Sequence, residues 1–305
     1  MLAFLLRRSG LAALVALTVS LVCFLLVNLS TDVATAMAGE GATAEAIDTI
    51  RKQYGLDRPL AVQYVEWLGR ALRGDFGDSL YFRTSVSALV AERMPVTLAL
   101  GAAAILFALV LSVPLGVVAA LRPGSWIDRL TLTIAVVGQA MPSFWFALLL
   151  MFFFGVTLGL LPISGSDTWL HFVLPAIALG YYATPAIMRL TRSGMQEVLG
   201  SDYIRTARAK GLRAPSVLFK HALRNALAPV VALSAVQLGF MLGGSVVIET
   251  VFALHGLGYL AWESIAHNDF PVVQAIVLLI SLFYIVLTLL ADLANAWLDP
   301  RIRIA

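Results

Sequence analysis

Six stretches of this chain run for more than 18 residues without an Asp, Glu, Lys or Arg: Ser9–Thr31, Met94–Leu121, Leu130–Ser166, Thr168–Met188, Asn225–Ile248 and Phe270–Ala291. A helix needs about 20 apolar residues to cross the hydrocarbon core of a bilayer, and each stretch meets that length. Composition agrees. Only 13% of the 305 residues are charged and the mean hydropathy is +0.89, whereas a water-soluble domain carries about 25% charged residues. Much of the surface must therefore face lipid. The expectation is an all-α polytopic membrane protein with six transmembrane helices. The third stretch is too long for one span, but Gly159, Pro162 and Gly165 punctuate its end, which places its helix at about 130–156. Pro114, Pro142, Pro175 and Pro185 lie inside spans, where neighbouring helices can satisfy the carbonyls they free.

Basic residues set the orientation. With the N-terminus inside, the cytoplasmic segments hold Arg7, Arg8, Arg122, Arg129, Arg189, Arg192, Arg205, Arg208, Lys210, Arg213, Lys220, Arg224, Arg301 and Arg303. The two short external loops, about 157–171 and 249–271, hold none. The first loop, 32–93, carries the other seven, and long loops cross largely regardless of charge. The organisation read from this is 1–31, cytoplasmic N-terminus and first span; 32–93, an extracytoplasmic segment; 94–295, a core of five helices with a cytoplasmic loop at 189–228; and 296–305, a cytoplasmic tail. Arg7-Arg8, the apolar run and Ala36-Met37-Ala38 also allow a cleaved signal peptide, but the run is about twice the 7–15 residues of such a segment.

The external segment has two helix signals. Ala44–Tyr54 has Thr43 as N-cap and Gly55 beyond its end, and Gln63–Leu72 places Tyr64, Trp67, Leu68 and Leu72 on one face. Arg73–Asp78 reads as a turn. This segment is either a docking surface for an external partner or a packed connector between the first two spans.

The cytoplasmic stretch Asp202–Pro229 carries six basic residues and one acidic one. Residues 201–210 suit a short helix ended by Gly211, and Pro215 suits the first turn of a second. Taken alone, so basic a loop reads first as an anchor on lipid phosphates, and second as a rigid knob able to transmit force. Catalytic signatures are missing. None of the three lysines ends a phosphate-binding Gly-Lys-Ser/Thr loop, no two histidines sit four apart around a glutamate, and Cys23 is the only cysteine, so no cysteine-based metal site is expected. Glu249 and Asp292 stand at expected span ends, as interface residues. The polar groups inside the spans, Asn28, Gln139, Ser143, Gln237 and Ser245, are neutral, which argues against an ion-coupled carrier. Each reads first as a packing hydrogen bond, and Gln139, Ser143, Gln237 and Ser245 are the candidates to line a pathway.

The run Asp202-Tyr203-Ile204-Arg205-Thr206-Ala207-Arg208-Ala209-Lys210-Gly211-Leu212, followed by His221-Ala222-Leu223-Arg224-Asn225-Ala226-Leu227-Ala228-Pro229, resembles the coupling loop of ABC importer permeases. It is most similar to the dipeptide/oligopeptide/nickel branch. Tyr54–Leu60, Gly74–Ser79, Pro142–Trp145, Glu249–Phe252 and Asp299–Arg303 extend the resemblance nearly end to end. Ser30-Thr31-Asp32-Val33 and His255 depart from it. The resemblance implies a type I, MetI-like permease fold in the bacterial inner membrane. It implies a homologous second permease subunit, two cytoplasmic ATPases that bind ATP and Mg, and an extracytoplasmic substrate-binding protein. This chain would bind no cofactor, no metal and no nucleic acid, and would catalyse nothing itself. Asp202, Tyr203, Arg205, Thr206, Ala207, Arg208, Ala209, Lys210 and Gly211 would form the ATPase-coupling helix, with Ala207 and Ala209 permitting close approach. Short peptides are the implied substrate; nickel complexes, glutathione-like peptides and small glycosides remain open.

Overall fold

The apolar stretches fold as helices, but proline breaks two of the six. The computed structural model describes residues 2–30, 33–39 and 41–298; apart from one β-bridge between Asp78 and Ser85, their regular structure is helical. In chain order the elements are α1 (Leu2–Ser30), α2 (Val33–Ala38), α3 (Ala44–Gln53), α4 (Leu60–Ala71), α5 (Val86–Leu121), α6 (Trp126–Ala140) and α7 (Ser143–Leu150). A π-helical turn, Met151–Thr157, continues α7. Then come α8 (Val173–Tyr181), α9 (Thr184–Leu199), α10 (Asp202–Ala209), a π-helical segment Ser216–Leu223, α11 (Arg224–Ala226), α12 (Ala228–Val251), α13 (Leu257–Ala266) and α14 (Phe270–Leu298).

Among the described residues, α1, α5, α12 and α14 are long and apolar enough to cross a membrane unaided. The expected fourth span is a bent pair instead: Trp169–Tyr181 and Thr184–Leu199 meet at 60°. Pro185 is the cause. It has no amide to give Tyr181 and its ring would clash with that carbonyl, yet it is well placed in the first turn of α9. The expected third span, 130–156, is likewise two pieces. Met141 before Pro142 is extended (φ −89°, ψ 134°), which separates α6 from α7. The boundary expected at 93/94 falls inside α5, which starts at Val86 and runs unbroken for 36 residues.

The core lies where α5, α8 and α12 meet. Leu100, Ala104 and Ala108 of α5 are buried against Leu174 and Ala178 of α8 and Met241 and Ile248 of α12. Two glycines bring backbones into contact. A Cβ at Gly180 would stand 2.3 Å from the Ala104 carbonyl oxygen, and one at Gly116 would stand 2.8 Å from that of Met188. Small residues at crossings are how helices pack in lipid, where no hydrophobic drive remains between them.

Glu249 is not an interface residue. Its side chain is fully buried, so the spans do contain a carboxyl group. Thr97 Oγ1 donates to its Oε1 at 2.8 Å and the Tyr259 amide to its Oε2 at 3.0 Å, while Thr97 Oγ1 accepts from the Leu257 amide at 2.8 Å. The carboxyl thus caps the N-terminus of α13, where amides lack helical partners and the dipole favours negative charge. A Cβ on Gly256 would lie 2.5 Å from Oε2, so only glycine leaves room. Asp292 does stand near the surface, paired with Arg8 at 3.1 Å.

The segment after α1 is packed onto the bundle. Tyr64, Trp67, Leu68 and Ala71 of α4 cover Phe24 and Leu25 of α1 and Leu278 and Leu282 of α14. The hydroxyls of Tyr64 and Ser20 lie 2.8 Å apart. Farther on, Asp269 accepts from the Ser79 hydroxyl and from the amides of Leu80 (3.1 Å) and Tyr81 (3.3 Å). The Tyr81 and His267 rings stack beside it, centroids 3.8 Å apart.

Candidate functional site

Residues 199–226 fold back on themselves as an elbow, with α10 at its tip. Asp202 opens the helix and pairs with Arg205 at 3.2 Å, and Thr206 Oγ1 donates to the Asp202 carbonyl at 3.0 Å. Ile204 and Ala207 face inward, buried with Val117 and Ala120 of α5, Met195 of α9 and Val217, Ala222 and Ala226 of the return limb. Ala207 is therefore spent on the elbow's own packing, whereas Ala209 is exposed. Gly211 ends the helix at φ +72°, with its amide on the Arg208 carbonyl (2.9 Å) and that of Leu212 on Ala207 (3.3 Å). That 5→2 and 6→1 pairing is a Schellman cap, which requires the left-handed conformation. Pro215 then leads into the π-helical segment, and Asn225 Nδ2 donates to the Tyr203 hydroxyl at 2.8 Å, tying tip to return limb. The tip is thus packed directly on α5 and α9.

The exposed face of the tip is cationic. Tyr203, Arg205, Thr206, Arg208, Ala209 and Lys210 are exposed, followed by Arg213 and Lys220. Arg205 is engaged by Asp202, but Arg208, Lys210, Arg213, Lys220 and Arg224 have no ion-pair partner among the described residues. Nearby, Arg192 grips Asp128 with two bonds of 2.7 Å, while Asp128 also accepts from the Gly124 amide at 2.9 Å. The Arg192 guanidinium and that amide hold the Asp128 carboxyl below the usual carboxylate range. This clamp, which sequence reasoning missed, fastens the start of α6 to α9 just ahead of the elbow.

The second feature is a cavity of about 740 Å³ set at the two helix breaks. Met141, Pro142 and Ser143 line one side, Tyr182 and Ala183 another, and Gln237, Phe240 and Gly244 of α12 a third. Two of the four candidate pathway residues, Ser143 and Gln237, come together here. Ser245 does not, being 1% exposed with its hydroxyl donating to the Leu242 carbonyl at 3.0 Å. The Gln139 side chain lies outside the described residues. Tyr182 and Phe240, about 60% exposed, were not singled out by sequence because an aromatic on an apolar helix reads as core. Among the described residues no charged side chain lines the cavity.

An uncharged cavity at broken helices, joined to a cationic elbow, can be set against known proteins. A family model described as "Binding-protein-dependent transport system inner membrane component" matches residues 112–304, and the N-terminal model of the same system matches residues 1–101. The chain belongs to this family. Its members are inner-membrane permease subunits of ABC importers and are not catalytic. Similar curated proteins include the glutathione transport system permease protein GsiC of Salmonella paratyphi A, 43% identical over 94% of both chains. The protein of that name from Escherichia coli K12 is 42% identical over 93% of this chain and 94% of its own. Two inward-facing structures of the MetNI methionine ABC transporter superpose with TM-scores of 0.57 and 0.56 at 21% and 22% identity. Each covers 69% of this chain and 96% of the other, which identifies the permease fold.

Proposed function

We propose that this permease, with a homologous second subunit, forms the pathway by which two cytoplasmic ATPases drive import of short peptides of the glutathione class. An external binding protein delivers the substrate. The similarity to glutathione permeases over 94% of both chains carries the proposal. Both termini and the elbow face the cytoplasm, in keeping with the cations gathered at that end. The elbow is the mechanical contact. Its unpaired cations suit an acidic cleft on the ATPase, and its anchorage to α5 and α9 conveys displacement of the tip to the spans. The two breaks then let α7 and α8 change angle around the cavity without unfolding. Substrate is held weakly there, since Ser143, Tyr182 and Gln237 offer hydrogen bonds and no counter-charge. A charged peptide that meets no fixed countercharge is released readily once the cavity opens.

Reconstitution of the complete importer in proteoliposomes tests this. Glutathione uptake should require ATP, both ATPases and the binding protein, and should exceed uptake of a long peptide such as a pentapeptide. Uptake by this chain alone in a proton or sodium gradient would overturn the reading. Among the described residues Glu249 is a carboxyl buried inside a span, but neutral donors engage both of its oxygens and it does not open on the cavity.

A further inference from the structure

The outward side of α4 has no partner among the described residues and mixes aliphatic side chains with cations. Tyr64, Trp67, Leu68 and Ala71 occupy its inner face, which leaves Val62, Val65, Glu66, Gly69 and Arg70 outside. Val65 is 67% exposed and Leu72, just past the helix, 81%. Between this face and the end of α3 lies a cavity of about 630 Å³, rimmed by Tyr54, Arg58, Glu66, Arg70 and Arg73. Arg58 is held by Glu66 at 2.7 Å, but Arg70 and Arg73 make no ion pair among the described residues.

Depth decides what this surface meets. The inner face of α4 rests on Phe24, four residues from the end of the apolar run Leu6–Asn28, and on Leu278, eight residues into Phe270–Leu293. At 1.5 Å per residue those contacts lie about 6 Å and 12 Å inside the apolar ends of the two spans, and the Ser20 and Leu282 contacts about 12 Å and 18 Å inside. Amphipathic helices in a membrane interface sit about 5–10 Å into the headgroup–acyl boundary. We propose that α4 lies in the interface of the leaflet away from the elbow, and that the cavity beside it seats a phospholipid headgroup. Val62, Val65 and Leu72 enter the acyl layer, and the guanidinium groups of Arg70 and Arg73 take the phosphate. Arginine suits this task because its planar fork pairs with two phosphate oxygens at once. The partner is lipid rather than a protein carboxylate because the cations share one surface with exposed aliphatic side chains at a depth below the headgroups.

The full chain, with Cys23→Ser, is placed in nanodiscs containing phosphatidylglycerol and labelled at Val65→Cys or Asp48→Cys with an environment-sensitive fluorophore. The label at 65 should be quenched by lipids carrying a shallow nitroxide and shielded from iodide, and the label at 48 the reverse. Separately, phosphatidylglycerol retained through detergent purification is counted. Each cation near a lipid surface is worth about fivefold in binding, so Arg70→Gln with Arg73→Gln should lower retention by about 25-fold. Arg70→Lys with Arg73→Lys should lower it far less. Equal iodide quenching at 65 and 48, shielding that arises only when the binding protein is added, or unchanged retention in the Gln pair would each overturn the proposal. These readouts need no transport, so they stand apart from the assigned substrate.

Discussion

Removing the Glu249 carboxyl should be among the most damaging single changes to the fold. In Glu249→Ala the Tyr259 amide and the Thr97 hydroxyl lose their acceptor in a site with no water access. Each buried donor left unpaired costs about 1–3 kcal/mol, so the hydrogen bonds alone account for about 2–6 kcal/mol, before any void is counted. Glu249→Gln keeps one acceptor and turns the other into a donor facing a donor, at about 1–3 kcal/mol. Thr97→Val removes one bond to the carboxyl and strands the Leu257 amide. Because the two residues share a network, Thr97→Val with Glu249→Ala should cost less than the sum of the two by more than about 0.5 kcal/mol. Unfolding of the purified chain in mixed micelles, titrated with SDS and followed by tryptophan fluorescence, measures all four variants. A Glu249→Ala protein within about 1 kcal/mol of wild type would refute the staple, as would strict additivity in the cycle.

Three further outcomes are expected. Gly211→Val should insert normally yet lose ATP-driven uptake in the complete importer by more than about tenfold, since the left-handed cap costs a β-branched residue at least 1–2 kcal/mol and the tip would be re-aimed; unchanged uptake would exclude the elbow as the drive contact. In a Cys23→Ser background, Ser143→Cys and Gln237→Cys should react with a small water-soluble thiol reagent and Ser245→Cys should not, and the opposite pattern would remove the cavity from the pathway. The Asp128 carboxyl is held below its ordinary pKa of about 3.9, so its pairing stabilises the fold fully above that value and loses effect as pH falls through the lower folded pKa. The melting-temperature gap between wild type and Asp128→Asn should therefore be constant from about pH 8 to 5 and begin to shrink below about pH 4; a gap as large at pH 3 as at pH 7 would contradict the assignment.

The apolar stretches and the elbow were legible because each is written within one short window. Uncharged length marks a crossing, and Gly211 with Pro215 marks the end of one short helix and the start of the next. The breaks were half legible: Pro142 and Pro185 stood in plain view, but bilayer context was expected to absorb them. Glu249 was misread because its donors come from Thr97 on another helix and from Tyr259 beyond a turn, and such an assembly leaves no local period. Gly256 and Gly258 were the available signal, small residues crowding a carboxyl seven and nine positions before them. Ala207 was placed on the wrong face because its smallness was weighed and its three-residue spacing from Ile204 was not.

Helix α5 runs without interruption from Val86, packed against α13 and α14, to Val117 and Ala120 beneath the elbow. Its 36 residues make a rod about 54 Å long. Tilting such a rod by 10° about one end carries the other through about 9 Å, more than the diameter of a water molecule several times over. In the proposed mechanism such a tilt would move both ends of the helix together, with Thr97 tying it to the Glu249 cap between them. On that reading, opening at one face and closing at the other would be two ends of one movement.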